Sequence, residues 1–208
     1  KYDNLGVVQW VIHIGRTNNY GASIWDVVVD SNDNVYIAGD FDDNIILADG
    51  ADPVRTNIPG SKNAIMAKYS NDGDLIYSKH MGDIFGNSHS AYAITVDSSD
   101  RIIVTGYFDG DVKLRFFDDN EFVLRGVSEK DVFIAIWTSS GELIDAKAIV
   151  GEKEYNNEKI GYDVTTDFDN NIYLVGSYSG KCFADDRILD STGNNFFVVK
   201  YSSDLEVQ

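Results

Sequence analysis

One stretch, Trp25 to Phe41 (WDVVVDSNDNVYIAGDF), constrains this chain more than any other, because it returns as Tyr92 to Phe108 (YAITVDSSDRIIVTGYF) and Tyr162 to Tyr178 (YDVTTDFDNNIYLVGSY). Each copy holds two runs of β-forming residues around a short polar turn, which predicts a β-hairpin. Repetition at a fixed period governs the whole fold, so it is tested on independent markers. The turn Asp recurs at Asp30, Asp97 and Asp167, spaced 67 and 70 residues, and the Gly of the second strand at Gly39, Gly106 and Gly176 with the same spacing. An aromatic-ended run recurs at Asn63–Ser70, Asp131–Thr138 and Asn195–Ser202, and another run ends in Gly15, Gly82 and Gly151.

The order in each cycle is a run ending in Gly (Val7 to Gly15, Leu75 to Gly82, Leu143 to Gly151), a polar loop, the hairpin, a long variable loop and the aromatic-ended run. That makes four strands in about 67 residues, the strand count of a propeller blade. We therefore expect an all-β fold of three four-stranded antiparallel blades in one segment spanning residues 1–208, with repeats at 7–74, 75–142 and 143–204 and residues 205–208 beginning a further outer strand. Three blades leave apolar faces open at both ends, where further blades or other copies would bind. VKLRFF (Val112 to Phe117) and EFVLRG (Glu121 to Gly126) flank a polar turn, a hairpin signal inside the second long loop that could extend a blade or project as a contact arm.

The residues resemble the SBBP repeat, a seven-bladed β-propeller family of prokaryotic surface and secreted proteins. Its pattern runs W…G, then A-x-x-I-x-V-D-x-x-G-N-x-Y-x-x-G-x-F, then D-x-F-V-A-K-Y-x-x-x-G. The first copy carries Trp10, Gly15, Val27, Val29, Asp30, Asn34, Tyr36, Gly39, Phe41, Ala67, Lys68, Tyr69 and Gly73, and the others follow with fewer matches. Asp33, Asp100 and Asn170 stand where the pattern has a turn Gly, and Tyr77 and Asp145 where it has Trp. Asn and Asp are the non-glycine residues that best tolerate φ > 0. The resemblance implies an extracellular or cell-surface scaffold, not an enzyme, that mediates protein interaction, adhesion or extracellular assembly. A carbohydrate-binding propeller module is the alternative, and a propeller hydrolase or lyase stands third.

Composition narrows the partners. Seventeen basic against 34 acidic residues give a net charge of -17, which repels phosphate backbones and anionic lipid and so excludes nucleic acid as the expected partner. Cys182 is the single cysteine, so neither an intrachain disulfide nor a thiolate zinc site is available. No run of 18 apolar residues exists, so no membrane-spanning helix is expected. The chain opens with Lys1 and shows no charged-then-apolar leader, so a signal peptide is expected to be removed or to lie outside this segment.

Several residues invite a chemical role. Asp30, Asp97 and Asp167 are weak calcium candidates, since carboxylates cluster in DSNDN, but calcium needs six to eight converging oxygens. Their first expected role is to close the turn by accepting backbone N–H bonds; no cofactor is otherwise indicated. His13 and His80 are repeat-equivalent, with Ala148 in the third copy, and are expected to pack on an outer strand. His89 is expected to be a solvated loop residue, and Cys182 a small inert one. Gly39, Gly106 and Gly176 are expected to allow close backbone approach where blades crowd together. Strand parity places the long loops on one end of the blades, and binding residues favour variable loops on rigid scaffolds. Tyr20, Phe85, Tyr155 and Asn157 are therefore the candidate residues for a protein or glycan ligand.

Overall fold

The computed structural model describes residues 1–16, 21–56, 60–82, 86–109, 113–116 as backbone, 122–152 and 158–208. The described residues form antiparallel sheets joined by turns, with no helix. The principal strands are β1 (Ala22–Val29), β2 (Val35–Asp42), β3 (Lys62–Tyr69), β4 (Leu75–Gly82), β5 (His89–Val96), β6 (Ile102–Asp109), β7 (Lys130–Trp137), β8 (Leu143–Gly151), β9 (Lys159–Thr166), β10 (Ile172–Tyr178) and β11 (Asn195–Tyr201). They pair in sequence order as three meanders: β1 to β4, β5 to β8, and β9 to β11. Each of the first two meanders takes its hairpin and aromatic-ended strand from one sequence cycle and its last strand from the next.

The meanders are larger than four strands. A hairpin of Lys113–Phe116 and Val123–Arg125 adds to the free edge of β4, and one of Cys182–Ala184 and Arg187–Leu189 adds to β8, giving two six-stranded sheets. The hairpin expected in the second long loop thus forms, and it runs back to extend the preceding sheet. The first long loop does the same on a smaller scale, with Asn44–Ile46 and Val54–Arg55 pairing onto Gly15–Arg16. An outer strand presents a row of unpaired N–H and C=O groups, and each arm satisfies part of that row. The run Val7 to Gly15, expected as a strand, contributes only the Gly15–Arg16 pairing and a bridge from Val8 to Tyr2. Its Ile12 and Ile14 pack on a core of Phe41, Ile45, Leu47 and Ile65.

Two cores lie between the sheets. Tyr36, Met66, Phe108, Phe133 and Trp137 fill the first, and Ile134, Ile149, Leu174, Phe197 and Tyr201 fill the second. Each such large side chain contributes roughly 1.5–3 kcal/mol on burial. The outer faces stay open: Val27 and Val29 are exposed at one end, and Phe196 and Val198, 84% and 72% exposed, at the other.

Where sheets meet, the turn ends interlock in a repeating pattern. Asp33, Asp100 and Asn170 adopt φ of 62°, 56° and 61°, as their residue types predict. The Asp100 carboxylate accepts hydrogen bonds from Ser31 N and Oγ, and Asn170 Oδ1 accepts from Ser98 N and Oγ. A glycine could hold the φ but could not make this link. At the same end of the sheets, the turns that follow the aromatic-ended strands are linked too: Lys68 Nζ donates to Ser139 O at 2.9 Å and Arg101 Nη1 to Ser203 O at 2.8 Å.

An aromatic exchange accompanies these links. The Trp10 ring stands against Gly73 and the Tyr77 ring against Gly141, both with φ near +90°. In the third copy Asp145 replaces the aromatic and Leu205, wholly buried at φ 58°, stands where the glycine would be. Leu205 packs into the second core.

Burial raises the phenol pKa of Tyr69 and of Tyr77 to about 12, and pushes Tyr36, Tyr107 and Tyr201 higher still. Unfolded tyrosine releases its proton near pH 10, so the stability these groups confer is complete below about pH 10 and is lost as pH rises toward their folded values. Each contributes a slope of up to ~1.4 kcal/mol per pH unit in that range. We expect the urea midpoint to fall steeply above about pH 10, with tyrosinate absorbance appearing together with unfolding. Ionisation of these tyrosines near pH 10 in the folded protein would contradict the packing.

Candidate functional site on the inner strands

Strands β1, β5 and β9 are the free edges of their sheets and lie side by side. Each carries a β-bulge at the same repeat position. Ile24 pairs with Gly39 and Asp26 with Ala38, which leaves Trp25 as the extra residue; Tyr92 and Tyr162 are the extra residues of the other two. A bulge needs its partner strand close, and a Cβ added at Gly39, Gly106 or Gly176 would overlap the carbonyl oxygen of Ser23, Ser90 or Ile160. These glycines do serve close backbone approach, but to the bulge of their own sheet and not to a neighbouring one. Bulges re-aim side chains, and here they turn three aromatic rings into one stripe.

The rings touch in series. Trp25 and Tyr92 are edge-to-face at 5.4 Å, and Tyr92 and Tyr162 are stacked at 6.3 Å with planes 19° apart. Trp25 is 52% and Tyr162 48% exposed, and Tyr92, flanked on both sides, is still only partly buried.

A polar network backs the stripe toward the end of the sheets where the long loops emerge. Asp40, nearly fully buried, accepts 2.6 Å hydrogen bonds from Trp25 Nε1 and Ser90 Oγ and pairs with Lys62 Nζ at 3.1 Å. Tyr107 packs against Tyr92 at 5.6 Å, with Lys130 Nζ above it at 5.1 Å. Lys130 also pairs with Glu158 at 2.6 Å; burial works against its charge, but the Glu158 hydrogen bond and charge outweigh that and hold its pKa above the ordinary value. Burial raises the carboxyl of Asp109, a rise that His89 and Lys130 offset only in part, and its Oδ1 is buried without a hydrogen bond.

Other predicted residues fall into place differently. Tyr20, Phe85, Tyr155 and Asn157 lie outside the described residues. The backbone register does bring the ends bearing the long loops together, since Ala22 pairs with Phe41 and Phe41 with Asn63. Asp30, Asp97 and Asp167 close their turns: each Oδ1 accepts from the amides two and four residues on. Burial opposes ionisation of Asp30, but the Asn34 and Asn32 hydrogen bonds and the Lys68 charge hold its pKa below the usual carboxylate value. Among the described residues no group of three His, Cys, Asp or Glu gathers at one point. His89 is wholly buried on β5 beside Asp109, so the expectation of a solvated loop residue is corrected. His80 packs edge-on to Phe41, as an outer-strand residue should, whereas His13 is exposed. Cys182 is buried, and burial pushes its thiol to about 12. Lys159, wholly buried, donates to Ser128 Oγ beside Asp131, and burial lowers its pKa.

The inner-strand site was visible in sequence as an aromatic at one repeat position and a glycine at another. Only the register shift connects them, and a register shift has no sequence mark of its own.

No protein-family model matches the chain. Among curated proteins it is similar to the uncharacterized WD repeat-containing protein L264 of Acanthamoeba polyphaga mimivirus, 24% identical over 198 residues, covering 84% of this chain. The chain spans 14% of that relative's length. The likeness and the repeated antiparallel sheets fit a β-propeller repeat protein in general terms.

The bulge geometry makes a sharp prediction. Gly106→Ala should cost about 1–3 kcal/mol by overpacking, measured by urea unfolding, whereas Gly193→Ala, with open space around it, should be neutral. Equal effects would mean that the bulge does not require glycine.

Proposed function

We propose that this chain is part of a β-propeller that acts as a protein-interaction scaffold, without catalytic activity of its own. The observation that carries the reading is the triplicated bulge, which spends a glycine in every copy to hold an aromatic ring at a solvent-facing edge. A ring needed only for packing would be placed more simply in the sheet ladder. The interlocked turns make the support rigid, and rigidity lets a binding surface form with little loss of conformational freedom. The WD repeat relative supports the same class.

In this reading the three meanders are adjacent blades, and the open apolar faces at Val27 and Val29 and at Val198 are covered by further blades or by other copies. The resemblance to SBBP repeats supports a secreted or cell-surface setting, with adhesion or extracellular assembly as the context. A glycan ligand is the second reading, favoured by the half-exposed Trp25 and Tyr162 beside hydroxyl and carboxylate groups.

A photo-crosslinking amino acid placed at Trp25 or Tyr162, and at Ile76 as an exposed outer-strand control, tests the scaffold in extracts of the source organism. Discrete protein adducts from the two inner positions, absent at Ile76, are expected. Adducts missing at both inner positions, or equal at all three, would overturn it.

A further inference from the structure

The scaffold reading leaves open what chemistry the stripe recognises, and the groups around it narrow the answer. Aromatic faces carry negative charge density and attract cations, most strongly when the cation is planar and can stack. Trp25 and Tyr162, each about half exposed on either side of Tyr92, offer such faces.

The charges nearby are unbalanced. Lys62 and Lys130 are already held by Asp40 and Glu158. Asp109 lies behind Tyr107 with a buried oxygen that accepts no hydrogen bond. Asp163 follows Tyr162 at the bulge, exposed, and one of its oxygens is occupied only by the neighbouring Val164 N–H. The whole chain adds a net charge of -17, so the long-range field draws basic partners and repels acidic ones.

We propose that the stripe docks a basic, arginine-bearing segment of a partner protein, with guanidinium groups stacking on Trp25 and Tyr162 and pairing with the exposed Asp163. This rests on the scaffold reading and names the partner chemistry of the same site. Arginine fits better than lysine because its planar group stacks on rings and forks onto carboxylates at once. Tyr92 serves as the fixed centre of the stripe, held between its two neighbours.

Isothermal titration of the chain with three synthetic octapeptides, alternating Ser with Arg, Lys or citrulline, tests the proposal. The Arg peptide should bind, the Lys peptide several-fold more weakly, and the uncharged citrulline peptide not at all. Trp25→Ala and Tyr162→Ala should each weaken the Arg peptide about tenfold, while Phe168→Ala, fully exposed on a turn away from the stripe, should bind like the parent. Trp25→Leu, which keeps apolar bulk, should lose affinity as Trp25→Ala does, and circular dichroism confirms that each variant is folded.

Affinity that ignores both aromatic changes would overturn the proposal, as would equal binding of Arg and Lys peptides, or binding of cellohexaose that depends on Trp25. Those results would leave the scaffold reading standing if the crosslinked partners proved to be proteins without basic segments. Absence of any protein adduct would sink the scaffold itself.

Discussion

The structure depends on one backbone event repeated three times, the register shift opposite Gly39, Gly106 and Gly176. Below the shift the two inner strands pair as an ordinary hairpin down to the Asp-closed turn. Above it they are offset by one residue, and the displaced residue is always aromatic. A side chain with a Cβ at the glycine position would push the strands apart and restore an unbulged ladder, which would turn the aromatic to the other face. The glycine therefore decides where the ring points, and the ring decides what the inner edge of the sheets can touch.

Around this event the sheets are fastened from both sides. At the turn ends, short polar links bind each sheet to the next: Ser31 to Asp100, Ser98 to Asn170, Lys68 to Ser139 and Arg101 to Ser203. At the outer edges, hairpins from the long loops reach back onto β4 and β8. The same loops that lengthen the repeat beyond a minimal four-stranded unit thus tie consecutive repeats together. A sheet fixed at its turns and at its outer edge has little freedom to slide, and the inner edges are held in line as a result. Trp25, Tyr92 and Tyr162 meet at ring distances of 5.4 Å and 6.3 Å because of that alignment.

Much of the fold was legible in the sequence. Hydrophobic runs of the right length, the turn Asp and the period near 67 residues set the hairpins and their order, since each follows from local chemistry. Asp33, Asp100 and Asn170 announced left-handed turn residues by type alone. What local chemistry cannot show is a partner far along the chain. Nothing in LRF marks it as an arm for β4, and nothing in Asp100 marks Ser31 as its partner 69 residues away. His89 looked solvated because its neighbours are polar, yet it begins a strand whose other side is core. The candidate site was half legible: the aromatic and glycine columns were plain, but the bulge joining them is a property of pairing. Functional expectation had settled on the long loops, whose named residues Tyr20, Phe85, Tyr155 and Asn157 lie outside the described residues, while the site that the structure builds lies on the inner strands.

The central claim is that three bulges align Trp25, Tyr92 and Tyr162 into a single stripe. Nuclear Overhauser contacts between their ring protons in solution test it most directly. The account predicts cross-peaks from Tyr92 to both Trp25 and Tyr162, as ring centres within 6.3 Å require, and none between Trp25 and Tyr162 themselves. Contacts from any of these rings to core residues such as Met66 or Phe133, in place of one another, would show unbulged strands and contradict it.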